Sequence, residues 1–483
     1  MSSRDDKTYQ EKKSAMDKDL KDLVDATSDN KDSFSATMED FKQLFDKFLK
    51  QEFLGDDSST ISWDKIRPPS KIVNYDECDR NLNEERIKTL LSGLVVLKLN
   101  GGLGTTMGCT GPKSVIKVRG EDSFLELVIK QLQFLNEKYS VDVPLVLMNS
   151  FNTEEETNQI LPNYQNGKVT IKSFNQKQYP RFTKKEFKPV PKNGNKSAQN
   201  NNEWFPPGHG DVYDSFYKSP LYKELKAQGK KYIFISNIDN LGATVDLSII
   251  DHLEKNKIEF AMEVTPKSLA DVKGGTLIDY EGKVKLLEIA QVPKEYVEEF
   301  KSIEKFKVFN TNNLYVALDA IEKNLDKFGN VELIVNHKVH EGVDIIQLET
   351  ASGASIQMFE NAVGFQVPRS RFLPVKTCSD LMLVQSDLYD LKEDMTLSKH
   401  SKRGDKENPL IELGDEFKFV NDYLSRVPKG VPSIVDLNKL KVSGDVKFGA
   451  NVVLKGDVNI KADKGKNIEV RDGSVLDNEN LSA

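Results

Sequence analysis

Cysteine, histidine and tryptophan are scarce in this 483-residue chain, with three, five and two copies. Cys78, Cys109 and Cys378 have no paired spacing, which excludes a disulfide framework and a Cys-x-x-Cys metal motif. His209, His252, His337, His340 and His400 do not cluster as zinc ligands, and His337-x-x-His340 alone is too weak a signal. No stretch approaches the ~18 apolar residues of a membrane-spanning helix, so no membrane partner is expected. The first residues, Met1-Ser-Ser-Arg-Asp-Asp-Lys7, have no apolar core of a secretory leader. There is no excess of positive charge either. Lys and Arg number 68 against 75 Asp and Glu, a net charge of −7. Nucleic-acid binding needs a basic footprint, so no nucleic-acid partner is expected. A reducing cytoplasm fits this cysteine usage.

What is abundant is concentrated. Gly101, Gly102, Gly104, Gly108 and Gly111 follow the apolar run Leu94–Leu97 and precede Lys113. A strand that empties into such a loop lets an anion approach backbone N–H groups. Two common phosphate loops are excluded by spacing. Pro112 separates Gly111 from Lys113, which breaks Gly-x4-Gly-Lys-Ser/Thr. Met107 occupies the third glycine position of Gly-x-Gly-x-x-Gly. With no acidic residue in the expected place on a second strand, a dehydrogenase is disfavoured. What remains is Leu-x-Gly-Gly-x-Gly-Thr-x-Met-Gly-x4-Pro-Lys-Ser.

Three regions are expected. Residues 1–92 read as a helical extension, with Met38, Phe41, Leu44, Phe45 and Phe48 at helical spacing and the first thirty or so residues loose. Residues 93–430 read as the main domain. Strands are expected at Leu94–Leu99, Pro144–Met148, Tyr232–Ser236 and Phe260–Val264. Helices are expected after Ser123-x-x-Glu126 and Thr153-x-x-Glu156. Such alternation predicts a mostly parallel sheet with helices on both faces. Thr276–Asp279 and Lys283–Glu288 flank Tyr280-Glu281-Gly282 as a hairpin, and Asn193–Asn202 reads as a solvated loop. In residues 431–483, Val446, Val452 and Val458 recur every six residues, as do Phe448, Leu454 and Ile460. Gly444, Ala450, Gly456 and Ala462 keep the same period, as the coils of a left-handed β-helix require.

Several residues could serve phosphate chemistry. Lys113 closes the glycine loop. Tyr232-Ile-Phe-Ile-Ser-Asn237-Ile-Asp239 is a strand ending in Asn-x-Asp; Asp239 is either a metal anchor or a cap of the next element. Gly208-His209-Gly210 is a tight turn able to touch a ligand. Lys273-Gly-Gly275-Thr is another. Lys376, in an apolar stretch, requires an anion, which is either a bound phosphate or Asp380.

Together these motifs resemble the eukaryotic UTP–glucose-1-phosphate uridylyltransferases (UDP-glucose pyrophosphorylases). The likeness runs in order from about residue 40 to the C-terminus. It is carried by Leu99–Lys113, Phe174-Asn-Gln176-x4-Arg181, Pro207–Asp211, Asn237-Ile-Asp239, Gly274-Gly-Thr276, Leu286–Pro293, Phe309–Asn313 and Leu373-Pro-Val-Lys376-Thr. The resemblance implies a Rossmann-like (GT-A-like) α/β nucleotidyltransferase with a mixed sheet and a C-terminal left-handed parallel β-helix, which would carry homo-oligomer contacts. It implies Mg²⁺-dependent attack of glucose 1-phosphate on UTP, giving UDP-glucose and pyrophosphate without a covalent intermediate. Leu99, Asn100, Gly101, Gly102 and Lys113 would hold UTP, and Gln176 and Gly208 would read uracil. Asn237 would meet ribose or sugar, with Asp239 anchoring Mg²⁺. His209 would touch the sugar or phosphate side of the ligand, Gly275, Glu288 and Asn313 would read glucose hydroxyls, and Lys376 would neutralise the phosphates in flight. The rivals are a UDP-N-acetylhexosamine pyrophosphorylase and a non-catalytic nucleotide-sugar scaffold; the presence of Lys113, Asp239 and Lys376 argues against the scaffold.

Overall fold

The computed structural model describes residues 3–55, 61–164, 167–195, 198–268 and 271–483. Its centre is an eight-stranded sheet: β1 (Ile72–Asn74), β2 (Leu94–Leu99), β3 (Leu145–Asn149), β4 (Ile171–Asn175), β5 (Tyr232–Asn237), β6 (Phe260–Pro266), β7 (Val308–Ala317) and β8 (Ala362–Gln366). The spatial order is β1-β8-β6-β7-β5-β2-β3-β4. Only β7 runs antiparallel to its neighbours, so the sheet is mixed.

The apolar runs are continuous because both faces are covered. Along β2, Leu94 and Val96 enter one core with Leu127, Val128 and Leu132 of the helix Phe124–Tyr139. Val95, Leu97 and Leu99 enter a second core with Val212, Phe216 and Ile235. The period-2 alternation of a strand thus divides one apolar run between two layers. Ser123 and Glu126 form the expected capping box. Thr153 sits at the N-cap of Glu154–Ile160 but makes no side-chain cap. Its hydroxyl instead accepts from the Ser150 N–H at 3.0 Å.

The N-terminus departs from expectation. Residues Ser3–Asp25 are a helix packed on Lys31–Leu54. Tyr9, Met16, Leu20 and Leu23 are buried beside Phe41, Phe45 and Phe48, in a cluster shared with Phe182, Trp204 and Phe205. The apolar stripe is sparse in sequence, and only a partner surface makes it a core. The Asn-rich patch is not wholly solvated either. The Gly194 N–H donates to Thr27 Oγ1 at 2.7 Å, and Asn195 Oδ1 accepts from the Ser28 N–H at 2.9 Å. Residues 196 and 197 of that patch lie outside the described residues.

The C-terminal strands β9 (Leu437–Ser443), β10 (Asp445–Phe448), β11 (Val453–Lys461), β12 (Asn467–Val470) and β13 (Val475–Asp477) pair only in parallel: β9 with β11, β10 with β12, β11 with β13. Val446, Phe448, Val452, Leu454, Val458 and Ile460 are all buried, and they share the first core of the main sheet.

Candidate functional site

The carboxyl ends of β2, β3, β4 and β5 lie on one edge of the sheet, since these strands are parallel. From β2 the chain runs outward to β3 and β4, then returns to β5 on the other side of β2. That reversal opens a crevice, the usual ligand position in an open α/β sheet.

The glycine loop folds back over this edge. The Lys113 N–H donates to Gly102 O at 3.3 Å, and Leu103 bridges Pro112. Lys113 therefore returns to the end of the strand that launched the loop. Leu99 pairs with Asn237, and the Asn100 N–H donates to Met148 O at 2.8 Å. The Asn100 side chain faces inward, donating to Asn149 Oδ1 at 2.8 Å and Thr157 Oγ1 at 3.0 Å. Its amide fastens the loop to the neighbouring elements. Gly101 lies so close to the Gln176 amide that any Cβ there would collide with it. Gln176 is buried and its Oε1 has no hydrogen-bond partner. A buried, unpaired acceptor costs free energy until a donor fills it. Gly102 faces open space.

Asp239 is the electrostatic centre. Its Oδ2 accepts from Lys113 Nζ at 2.7 Å and from Lys376 Nζ at 2.8 Å. The Asp239 side chain is 8% exposed, that of Lys113 12% and that of Lys376 55%, so Lys376 alone is free to swing. Burial pushes the Asp239 carboxyl up, but the two lysines outweigh it and hold the group below its ordinary value. Asp239 is thus not a helix cap, and Asp380 is not the ion-pair partner of Lys376. Asp380 instead accepts from the Lys376 N–H at 2.9 Å and closes a capping box with Thr377.

The strap that carries Lys376 is stitched to the end of β5. The Val375 N–H donates to Asp239 O at 3.1 Å and the Leu373 N–H to Asn240 Oδ1 at 2.8 Å. Asn240 Nδ2 in turn donates to Asn313 Oδ1 at 3.1 Å. Asn313 is fully buried, and its Nδ2 donates to Glu263 Oε2 at 2.9 Å. Glu263 also takes the guanidinium of Arg371. The side chain of Asn313 is spent on this buried network and does not reach the crevice with the other expected sugar readers. It steadies the strap instead. Beneath the site, buried Lys98 donates to Ser236 Oγ at 2.8 Å, and its pKa is pulled down to about 7 by burial and by Arg371.

On the far side of the crevice, Gly208 adopts φ +82°, and a Cβ there would stand 2.5 Å from Thr350 O. Only glycine fits. This close approach sets His209 against Ser352. His209 Nδ1 lies 2.8 Å from Ser352 Oγ and accepts from the Ser352 N–H at 3.0 Å. Burial, then the charge of Lys376, pushes the His209 pKa down to about 4. At Gly275 the Glu288 carboxylate comes within 2.5 Å of where a Cβ would be. Burial raises the Glu288 pKa. Asn237 Oδ1 accepts from Asn312 Nδ2 at 3.1 Å. Sequence reasoning missed Asn240, Glu263, Asn312, Ser352 and Arg371. Asn312 at least lay inside the Phe309–Asn313 motif, whereas Ser352 had no signal in its spacing.

The glycine loop, one buried carboxylate shared by two lysines and an unpaired amide acceptor thus gather at one edge of the sheet, an arrangement suited to an anionic ligand. The sequence model of the UTP–glucose-1-phosphate uridylyltransferases matches residues 38–455. The chain belongs to this family. The UTP–glucose-1-phosphate uridylyltransferase of Pyrus pyrifolia is 52% identical over 463 residues, covering 95% of this chain and 97% of the relative. UTP–glucose-1-phosphate uridylyltransferase 2 of Dictyostelium discoideum is 52% identical, over 91% and 86% of the two chains. The UDP-glucose pyrophosphorylase of Leishmania major, solved in open and closed forms, superposes with a TM-score of 0.80 at 33% identity, over 96% and 99% of the two chains. A point mutant of the Leishmania major enzyme has been solved in complex with UDP-glucose. Members of this uridylyltransferase family are nucleotidyltransferases, and the mixed α/β architecture of this chain matches theirs.

Proposed function

We propose that this chain transfers uridylyl from UTP to glucose 1-phosphate in a Mg²⁺-dependent reaction, releasing pyrophosphate and UDP-glucose. The observation that carries this reading is the convergence of Lys113 and Lys376 on Asp239 at the mouth of the glycine loop. Leu99–Gly102 and Lys113 hold the triphosphate. Gln176 supplies the unpaired acceptor for the uracil imide, with the backbone at Gly208 alongside. Asn237, Gly275 and Glu288 face the hexose and ribose. His209 stands between sugar and phosphates.

A phosphate oxygen of glucose 1-phosphate attacks the α-phosphorus of UTP as the bond to the β-phosphate breaks. Both partners are anionic, so the work of the site is alignment and charge neutralisation. Lys376 leaves Asp239 for the equatorial oxygens as their charge grows, and Lys113 holds the leaving pyrophosphate. Asp239 fits a magnesium anchor because its Oδ1 is buried with no partner. One carboxylate plus phosphate oxygens and water suits Mg²⁺, which when bound would neutralise phosphate charge. The test is direct. Purified protein with UTP, glucose 1-phosphate and Mg²⁺ is expected to release pyrophosphate, and to do so far faster than with N-acetylglucosamine 1-phosphate. No release, or the reverse preference, overturns the reading.

The parallel ladders and buried six-residue period of β9–β13 support a left-handed β-helix domain, following a catalytic domain at 93–430 and a helical extension at 1–92. We place a homo-oligomer contact there, because Val475 on β13, an edge strand of its sheet, is 56% exposed and an exposed strand edge invites pairing. Val475→Glu should reduce the mass measured by light scattering to that of one chain. A mass unchanged from the unsubstituted protein removes that assignment. No helix among the described residues is long and apolar enough to cross a membrane. The three cysteines are free, which supports a reducing cytoplasmic setting.

A further inference from the structure

We propose that Lys177 is a positioning residue for the choice of nucleotide. Together with Asp211 it clasps the chain at Gln176 to the Gly208 turn, so that the base is met by a fixed acceptor. The assignment rests on the uridylyl-transfer reading and deepens it.

Lys177 follows Gln176 just past the end of β4. Main-chain bonds hold Gln176 on both sides. Its own N–H donates to Asn149 O at 2.9 Å, and the next N–H, that of Lys177, donates to Asp211 Oδ2 at 2.7 Å. Asp211 belongs to the Gly208 turn, where its N–H donates to Gly208 O at 3.4 Å. The Ser215 hydroxyl donates to the same Asp211 Oδ2 at 2.6 Å. The Lys177 ammonium reaches the other oxygen, Oδ1, at 3.2 Å. One buried carboxylate thus takes both the main chain and the side chain of the residue beside Gln176.

The same ammonium also meets Asp214, and Asp40 of the helix Lys31–Leu54 at 2.9 Å. With three carboxylates about it and its side chain only 13% exposed, it is not available to a substrate phosphate. That separates Lys177 from Lys113 and Lys376 and makes its role geometric. Burial works against the charge of Lys177, but Asp211, Asp214 and Asp40 outweigh it and raise the pKa above its ordinary value. Lys218 pairs with Asp40 at 3.1 Å and Asp214 at 2.8 Å. Among the described residues, only Lys177 forms an ion pair with Asp211. Remove that ammonium and a buried carboxylate is left unpaired beside two others, which drives the turn away from Gln176.

The consequence lies in the base. At N3, uracil offers an N–H and cytosine a lone pair. Gln176 Oε1 is buried without a partner and can only accept, while Gln176 Nε2 is the atom packed against Gly101. This arrangement favours uracil as long as the amide is held in place. A loosened loop lets the amide turn over and present its NH₂ to cytosine N3, so discrimination falls.

Pyrophosphate release with UTP and with CTP tests the clasp. Lys177→Met keeps an apolar stem and removes the charge. The ratio of kcat/KM for UTP over CTP should fall at least about tenfold, mainly through a raised KM for UTP, while KM for glucose 1-phosphate stays within about twofold. Adding Asp40→Asn to Lys177→Met should recover part of the ratio, because one of the repelling charges is gone. A purely structural ion cluster would lower the melting temperature and leave the ratio unchanged, and that result overturns the proposal. Should Lys177→Met fail to fold, the isosteric Asp211→Asn decides the matter. A ratio lowered about threefold or more supports the clasp, and a smaller change overturns it. If the unsubstituted protein releases no pyrophosphate, the uridylyl-transfer reading fails. Calorimetry of UTP against CTP with the same variants then decides the clasp separately, and an unchanged affinity ratio overturns it.

Discussion

Lys376→Ala is expected to cut turnover by about 10²- to 10³-fold while UTP affinity falls less than tenfold. The asymmetry follows from where Lys376 sits. Its side chain is 55% exposed and is held in place by Asp239 at 2.8 Å and by the strap from Leu373 to Val375. Lys113 is far more enclosed and belongs to the loop proposed to hold the triphosphate in the ground state. Lys376 can leave its carboxylate when a stronger anion forms nearby. An interaction that strengthens only as charge develops appears in kcat rather than in binding. Pyrophosphate release gives the turnover, and calorimetry with UTP gives the affinity. Equal losses in both would make Lys376 a simple binding residue. Lys376→Arg should not restore the rate, because a planar guanidinium presents its donors differently from a compact ammonium.

Asp239→Asn should be more damaging still, with turnover down by roughly 10³-fold or more. The substitution keeps the shape but removes the charge that two ammonium groups share and the carboxylate assigned to Mg²⁺. Lys113 then remains enclosed without its anion, which costs stability on the order of 1–3 kcal/mol. Lys376 can escape to water and adds little to that cost. Pyrophosphate should therefore raise the melting temperature of Asp239→Asn more than that of the unsubstituted protein, since it returns the missing negative charge. A smaller rise would contradict the assignment. The pH dependence has a definite sign. The folded-state pKa of Asp239 lies below its ordinary value, so its stabilisation is present above that value and lost as pH falls through the folded pKa. Asp239→Asn should flatten this acid limb of the stability curve.

Much of the architecture was legible in order along the chain. Leu94–Leu99, Tyr232–Ser236 and Phe260–Val264 read as strands because both faces are covered, which makes each run apolar. The capping box at Ser123 and Glu126 is local chemistry, and it survived folding unchanged. Thr153 carried the same signature, yet its hydroxyl turned to Ser150, because a neighbouring loop competed for the same group. The six-residue period after Gly444 correctly marked the buried positions. The helix Ser3–Asp25 was not legible, since its apolar stripe is thin and gains its burial from residues such as Phe41 and Phe45 on the next helix.

The sequence by itself determined the glycine loop, the identity of its terminal lysine and the strand that ends in Asn237 and Asp239. These are local patterns, and local patterns are written in adjacent residues. The tertiary structure alone decided which charges meet. Lys113, Asp239 and Lys376 converge only because β2 and β5 are parallel neighbours and because the strap is pinned to Asn240. It alone withdrew Asn313 from the crevice into the Glu263–Arg371 network. It alone brought Ser352 to His209, 143 residues apart in sequence. Hydrogen bonds act over about 3 Å in space, and no spacing in a linear chain records which distant groups will come that close.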